Sequence, residues 1–324
     1  MSSPSEDVAE VFEELGSLEK EFAEVELDIL RRKEFSLRPL YFKRNTLIDR
    51  IPDFWPTVFG NGPEEIQQFF SPADLALISS LKSFSVERYQ IESETKGEPR
   101  SLRFTFEFAE NEFIENRQLV KDFEYKPRED GPGSLVSKPV PIKWKGKQKD
   151  VTHGLLDAAV ELYSAEEALK LKNGEKRVDM VERESLWQHE KLREKMIQLD
   201  ESPEKEASFF NWFGFRGAVN TETPQKSATN GATGAGADAD EEDEDEVEEM
   251  LEVEIFPAGE ELAISLAEEL WTDAMDYFMS AQDEAPFDSN GFEIEEDEDD
   301  EEVPELSPAV EDQDDRPRKR QRKD

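Results

Sequence analysis

Val8-Ala9-Glu10-Val11-Phe12-Glu13-Glu14-Leu15-Gly16-Ser17-Leu18-Glu19-Lys20-Glu21-Phe22-Ala23-Glu24-Val25-Glu26-Leu27-Asp28-Ile29 repeats apolar side chains at the spacing of a coiled coil. Written as heptads from Val8, one core position holds Val8, Leu15, Phe22 and Ile29, and the other holds Val11, Leu18 and Val25. Apolar residues thus fill every consecutive core slot of the stretch, which predicts a helix with one continuous sticky seam. Ser5 is a candidate N-cap, and Glu6 and Asp7 suit the positive end of the helix dipole. The pattern weakens at Arg32 and Ser36. Pro39 lacks the backbone N–H that a regular helix needs, so a kink is expected there, followed by more helix through Leu40, Leu47, Ile48 and Ile51. Up to Pro39 such a helix is about 50 Å long. No second heptad segment of matching length occurs nearby in the chain. Pairing of two copies through these seven residues is therefore expected, with packing onto the rest of the same chain as the alternative.

Beyond this helix the pattern changes. Ile51-Pro52-Asp53-Phe54-Trp55-Pro56-Thr57-Val58-Phe59 is an aromatic turn between prolines, and core anchoring is its expected role. Ser71 and Pro72 open a short helix running to Leu81. Strands are expected over Phe84–Glu92, Leu102–Phe108, Gln118–Tyr125 and Leu135–Trp144. Strict alternation of Leu102, Phe104, Phe106 and Phe108 with polar residues marks the second. Pro139 and Pro141 restrict the last to a sheet edge or a bulged path. Together they predict an antiparallel meander with one wet face. Leu155–Leu199 reads as helix broken at Asn173-Gly174, its alternating charges suggesting exposure. Phe209-Phe210-Asn211-Trp212-Phe213 is a dense aromatic knot. Ala263–Met279 reads as a last helix that buries Leu262, Leu266, Leu270 and Phe278.

Charge separates these folded stretches from the rest. The 324 residues include 80 acidic and 39 basic side chains, a formal net charge of −41. Asp238–Glu254 holds 12 carboxylates and Asp283–Asp315 holds 17, neither with a Lys or Arg. Like charges at that density resist collapse onto a core, and the Gly-, Ala- and Thr-rich stretch 218–237 reads as a linker. A field of this sign repels phosphate backbones and anionic membranes and attracts basic proteins. The chain then reverses sign at Arg316, Arg318, Lys319, Arg320, Arg322 and Lys323. A nuclear import signal read by an import carrier is the expected role of this cluster; a nucleic-acid contact and pairing with the acidic tail are the alternatives.

The sequence offers little chemistry. There is no cysteine, so disulfides, thiolate metal sites and cysteine nucleophiles are excluded. His153 and His189 are the only histidines, too few for a common zinc site. No phosphate-binding glycine loop or Gly-x-Ser-x-Gly elbow occurs. No enzyme activity, metal or cofactor is expected. The N-terminus lacks the pattern of a signal peptide and no run is long enough for a membrane span, so neither export nor membrane attachment is expected.

Several motifs resemble the nucleosome assembly protein family, above all its template-activating factor (SET-like) branch. They are Arg38-Pro39-Leu40-Tyr41-Phe42-Lys43-Arg44, Ile51-Pro52-Asp53-Phe54-Trp55, Asn111-Glu112-Phe113-Ile114-Glu115-Asn116 with Lys121-Asp122-Phe123, Ile142-Lys143-Trp144-Lys145, the aromatic knot, and Glu268-Glu269-Leu270-Trp271 with Tyr277-Phe278. In this resemblance Gly62-Pro63 stands where many members have His-Pro. Thr272–Met275 replaces a proline pair, and the Leu155–Leu199 region is longer than the branch leads one to expect.

The resemblance implies an α+β fold, with a long dimerisation helix followed by an earmuff domain of β-meander and helices and then an acidic disordered tail. The corresponding boundaries are 1–52 for the helix with its kink at Pro39, 53–217 with 255–282 for the earmuff domain, 218–254 for an acidic linker, 283–315 for the tail and 316–324 for the basic cluster. It implies a nuclear homodimer, shuttling with the cytoplasm, that binds core histones and meets DNA weakly or through them. Glu260, Glu261, Glu268, Glu269, Asp273 and Asp276 are the candidate histone contacts. The alternatives are a non-enzymatic adaptor of a chromatin-modifying enzyme, docked on Leu155–Leu199, and a general escort for basic proteins.

Overall fold

The computed structural model describes residues 4–128, 133–174, 178, 180–202, 206–217 and 253–284. Of residues 4–10, 13 and 180 it describes only the backbone. The first helix, α1 (Pro4–Ile48), continues on both sides of Pro39 and ends three residues before Ile51. Ser5 lies inside it, so the N-cap expectation is corrected: Pro4 supplies the first helical φ.

The aromatic turn forms α2 (Phe54–Gly60), which buries Phe54, Trp55, Val58 and Phe59. After α3 (Glu64–Gln67) comes α4 (Pro72–Ile78), opened by a reciprocal cap between Ser71 and Asp74. Asp74 also accepts from the Ser208 hydroxyl at 2.5 Å and from Phe209 N at 3.0 Å, tying α4 to the aromatic knot. The helix stops short of Leu81, which instead begins β1 (Leu81–Glu87).

β1 does not reach Glu92 as expected. Ile91–Ser93 (β2) pairs with Lys96–Gly97 (β3) in a separate hairpin. The main sheet consists of β1, β4 (Leu102–Phe108), β5 (Gln118–Lys126) and β6 (Ser134–Ser137), antiparallel in that order. Phe84 faces Phe106 and Val86 faces Phe104, so the period-2 pattern places phenyl rings on one face. Arg103 and Asp122 pair across the other face at 2.7 Å. β6 is the expected edge strand but ends at Ser137, before Pro139. Chain beyond it is held by Val140 N to Phe213 O at 2.8 Å and by an isolated bridge between Trp144 and Ile114.

The aromatic knot is a 3-10 turn (Phe209–Gly214) buried throughout. Trp212 lies 5.1 Å from the Phe104 ring and 5.2 Å from Phe123, and Phe213 lies 5.5 Å from Phe106. Trp55 and Phe59 cover Phe84 from α2. This interlocked ring set is the centre of the core.

The Leu155–Leu199 region corrects its expectation. It forms α5 (Leu155–Lys172), α6 (Met180–Glu184) and α7 (Trp187–Asp200), broken at Asn173-Gly174 as read. These helices are not simply exposed: Leu155, Ala158, Ala159 and Leu162 form a buried stripe against Leu192, Val253 and Ile255. The i, i+3, i+4, i+7 spacing of that stripe was masked by the surrounding charges.

The last helix is also corrected, because it is three pieces. They are α8 (Gly259–Ser265), a π-helical turn (Leu266–Leu270) and α9 (Ala274–Glu284). Leu262, Leu266 and Leu270 are buried as read, while Phe278 is half-buried and stacks on Phe54 at 4.8 Å.

Two buried charge networks tie distant segments together, and the second holds the Leu155–Leu199 insert to the domain. Lys121 sits on the inward face of β5, where no lysine is expected. Its ammonium donates to the carbonyls of Lys138, Phe213 and Phe215 at 2.9, 3.0 and 2.6 Å. Glu254, the last residue of the first acidic run, is buried and accepts from the backbone N–H of Arg216 and Phe256 at 2.9 and 3.2 Å. Val253 and Glu254 therefore belong to the fold and not to the acidic linker. Burial pushes the Glu254 carboxyl up and the Lys121 ammonium well down, and each charge opposes the other's shift. In the second network, Glu166 of α5 accepts from Arg183 at 2.7 Å and from Arg216 at 2.6 Å.

Candidate functional site

The six candidate carboxylates sit on α8, the π turn, α9 and the short connection before α9, and tertiary structure sorts them into different environments. Glu260 is half-buried and accepts the backbone N–H of Leu135 at 2.9 Å, which ties α8 to the exposed edge of β6. Glu261 is exposed in the first turn of α8. Glu268 turns toward α1, where Arg88 donates to it at 3.0 Å and approaches Glu34 at 3.7 Å.

Glu269, Asp273 and Asp276 are exposed and act together on Tyr277. Its phenol pKa is raised first by burial and then by Asp273, Glu269, Glu65 and Asp276. Four carboxylates thus share one surface, and Glu65 is a member that helical periodicity could not assign. Its only signal was the acidic pair Glu64-Glu65 after Pro63.

Glu268 and Glu269 both lie in the π turn and, being consecutive, point to different sides of it. Trp271 N bonds back to Leu266 O at 3.0 Å, a five-residue step that inserts an extra residue into the helix. Trp271 is held by a layered contact: its ring stacks on Trp55 at 5.7 Å, and the Arg44 guanidinium lies 4.2 Å above it. Arg44 also lies 4.8 Å over Tyr41 and donates to Thr272 O at 3.3 Å. Burial lowers the Arg44 pKa, with Tyr41 and Asp273 opposing. The Arg38–Arg44 motif is therefore the strut that joins α1 to the acidic surface.

Between α1 and the sheet lies a groove of about 730 Å³, bordered by Lys33, Glu34, Arg38, Phe42, Arg88 and Glu268. Its charges are mixed, whereas the charged groups that act on Tyr277 are carboxylates.

The seam residues of α1 are open to solvent along their length. Val11, Leu15, Leu18, Phe22, Val25 and Ile29 are all exposed, Phe22 by 58% and Ile29 by 61%. Val8 is described only as helical backbone. Arg316, Arg318, Lys319, Arg320, Arg322 and Lys323 lie outside the described residues, as do 218–252 and 285–315. Among the described residues no cluster of His, Asp and Glu has the makings of a metal site. His153 is an exposed turn residue at φ 56°, and His189 is buried in α7.

The geometry defines a class: an α+β domain carried on a long helix, with an acidic surface at its closing helices and an apolar stripe along the helix. The chain belongs to the nucleosome assembly protein family, whose sequence profile matches residues 43–281. A putative nucleosome assembly protein of Schizosaccharomyces pombe is 32% identical over 149 residues, 43% of this chain and 59% of that protein. Protein SET of Drosophila melanogaster is 30% identical over 138 residues, 41% of this chain and 47% of that protein. These alignments span less than two thirds of the relatives' own length. The crystal structure of Vps75 superposes with a TM-score of 0.53 at 22% identity, covering 85% of this chain and 99% of that one. That of Ccp1 gives 0.51 at 22% identity, covering 87% and 100%. These two likenesses concern the fold. Of the departures from the family, Gly62 has a packing consequence, because a Cβ there would come within 2.7 Å of Leu270 Cδ1.

Proposed function

We propose that this protein is a histone chaperone: a non-enzymatic, nuclear homodimer that binds core histones and promotes nucleosome assembly and disassembly by screening their charge. One observation carries the reading. A chain of this family presents Glu65, Glu269, Asp273 and Asp276 together on a folded surface, in addition to long acidic runs in the sequence. Free histones bind DNA quickly and non-specifically through dense Lys and Arg. A carboxylate surface competes for those cations, and the acidic runs raise the encounter rate. Ordered nucleosomal DNA then wins the transfer. The names of the relatives point the same way: one is a putative nucleosome assembly protein, and one Vps75 structure is described as a histone chaperone.

In this reading the seam from Val8 to Ile29 joins the two copies, and the terminal basic cluster is the import signal. The test is a plasmid supercoiling assay with purified protein and core histones, run with and without residues 238–252 and 285–315. Supercoils that depend on the protein and survive removal of both runs support the folded surface as a working part. No supercoiling by the full chain at any ratio overturns the reading.

A second reading is favoured by one observation. Leu171, Val181 and Trp187 are 70%, 77% and 64% exposed on the helical insert, as a docking site for a chromatin-modifying enzyme would be. Capture of such an enzyme that persists without the acidic runs and is lost on Trp187→Ser supports this adaptor role.

A further inference from the structure

β1 is an edge strand, and the register decides which of its backbone groups are free. In β4, Phe108 N donates to Arg117 O at 2.8 Å, on the β5 side. Backbone groups alternate between the two neighbours of an antiparallel strand. Leu102, Phe104 and Phe106 therefore also serve β5, and Arg103, Thr105 and Glu107 serve β1. Their partners in β1 are Glu87, Ser85 and Ser83. The N–H and C=O of Phe84 and Val86 thus turn away from β4, to the side where the sheet ends. Among the described residues these groups have no hydrogen-bond partner there.

Val86 lines the groove of about 730 Å³ between α1 and the sheet, a volume within the roughly 300–1,000 Å³ of ordinary binding clefts. Val86, Ile91, Leu102, Ala267 and Trp271 are buried residues that give the groove an apolar side. On the wall formed by α1, Asn45 adds a buried amide oxygen, Oδ1, without a hydrogen-bond partner. Unpaired backbone and amide groups beside apolar surface are costly to desolvate, and folded proteins leave few of them. An extended peptide supplies donors and acceptors to both.

Charge selects what can enter. The cations of the groove are engaged within the chain: Arg88 approaches Glu34 and Glu268 at 3.7 and 3.0 Å, Arg38 donates to Ile91 O at 3.2 Å, and Lys33 lies 4.0 Å from Glu34. Two exposed carboxylates of the lining, Asp49 and Glu87, have no ion pair among the described residues. The charge left over is negative, and the whole chain carries −41. α1 forms the far wall, which admits one extended segment and shields the edge from a second sheet.

We propose that this groove docks an extended basic segment of a partner protein, which adds to the sheet as a strand beside Val86. Main-chain bonds to Val86 supply affinity, one side of the segment packs on the apolar lining, and its basic side chains reach Asp49 and Glu87. The site is separate from the carboxylates around Tyr277 and does not depend on what they hold.

The full-length protein is titrated, at moderate salt, into a fluorescein-labelled heptapeptide of alternating lysine and valine, and anisotropy is read. A chain this acidic attracts any basic peptide, so two N-methylated forms that keep every side chain decide the matter. One is methylated on the backbone of its lysines, the other on its valines. Alternate N–H groups of a strand face opposite edges, so only one set faces β1. Methylation of that set should weaken binding about tenfold, because it removes main-chain hydrogen bonds, while methylation of the other leaves it nearly unchanged. Val86→Pro deletes the outward N–H without removing a bond to β4 and should weaken the unmodified peptide to a similar degree. The methylated pair is read on the native chain, so the result stands whether or not Val86→Pro folds. Equal effects of the two methylations overturn the proposal in favour of attraction by charge alone. Binding seen only after Phe22→Asp/Ile29→Asp, which breaks the pairing of copies, overturns it too, because a second copy then fills the groove.

Discussion

The two halves of α1 both carry apolar side chains at helical spacing, but they differ in charge and meet opposite fates. In residues 30–48 the side chains facing the domain are tied down: Arg38 bonds the β2 backbone, Arg44 lies between Tyr41 and Trp271, and Ile48 is buried. In residues 11–29 no large apolar side chain of the seam is covered, although the seam is the more regularly apolar of the two. Apolar periodicity therefore says that a face will be covered, not by what. The half with the poorer heptads is docked within the chain on one face, through aromatic and guanidinium contacts, while its Leu40, Phe42 and Leu47 stay exposed.

That contrast can be broken most drastically in the free half. Phe22→Asp with Ile29→Asp should convert the protein to a monomer by sedimentation while leaving the thermal unfolding of the domain nearly unchanged. A large loss of domain stability in that variant would mean the free half is covered within the chain after all. The docked half answers in the opposite way. Trp55→Ala opens a cavity beneath Trp271 and Phe84 and should cost about 3–5 kcal/mol, lowering the unfolding midpoint by roughly 10 °C. It should do so without altering subunit exchange.

A smaller effect tests the insert. Glu166→Ala strands Arg183 and Arg216 without their shared carboxylate, and removing one partner of a buried ion group costs about 3 kcal/mol. Protease should then cut within α5–α7 before the sheet. The same carboxyl predicts a pH dependence. Burial alone would raise its pKa, but Arg216 and Arg183 hold it below the ordinary 4.5. The unfolded chain thus takes up the proton first as pH falls. The contribution of Glu166 is full above about 4.5 and is lost as pH falls through the depressed folded value. Denaturant midpoints measured across that window should fall less steeply in Glu166→Gln than in the native chain.

The finest contrast lies within the acidic surface. With residues 238–252 and 285–315 removed, Glu269→Gln/Asp273→Asn should weaken histone binding by severalfold at moderate salt. Glu268→Gln should weaken it less, because that carboxylate is already engaged by Arg88. Equal affinity for both variants and the parent would reject the surface as a contact.

Much of this was legible beforehand. Alternation in Leu102–Phe108 was sufficient to define β4 to the residue, because a one-residue slip would turn every phenyl ring to water. The capped start at Ser71-Pro72 was equally clear. Less legible were the places where two distant segments meet. Lys121 interrupts the inward face of β5 and reads as a pattern error until three carbonyls from β6 and the aromatic turn surround it. Glu254 looked like one more member of an acidic run, and α5 looked like an exposed charged helix. The six carboxylates read as one group, but distant partners divided them: Leu135 N takes Glu260 and Arg88 takes Glu268.

The sequence by itself determined the long stripe of α1, the separation of acidic runs from foldable segments, and the aromatic content of the core. Each of these depends on the order of residues along one chain, through helical or strand periodicity and the mutual repulsion of like charges. Only tertiary structure decided which charges are buried and paired, which half of α1 is covered, and which carboxylates share a surface. Those outcomes depend on desolvation and on partners more than 100 residues away, such as Arg88 for Glu268 and Asp74 for Ser208, and no local pattern encodes them.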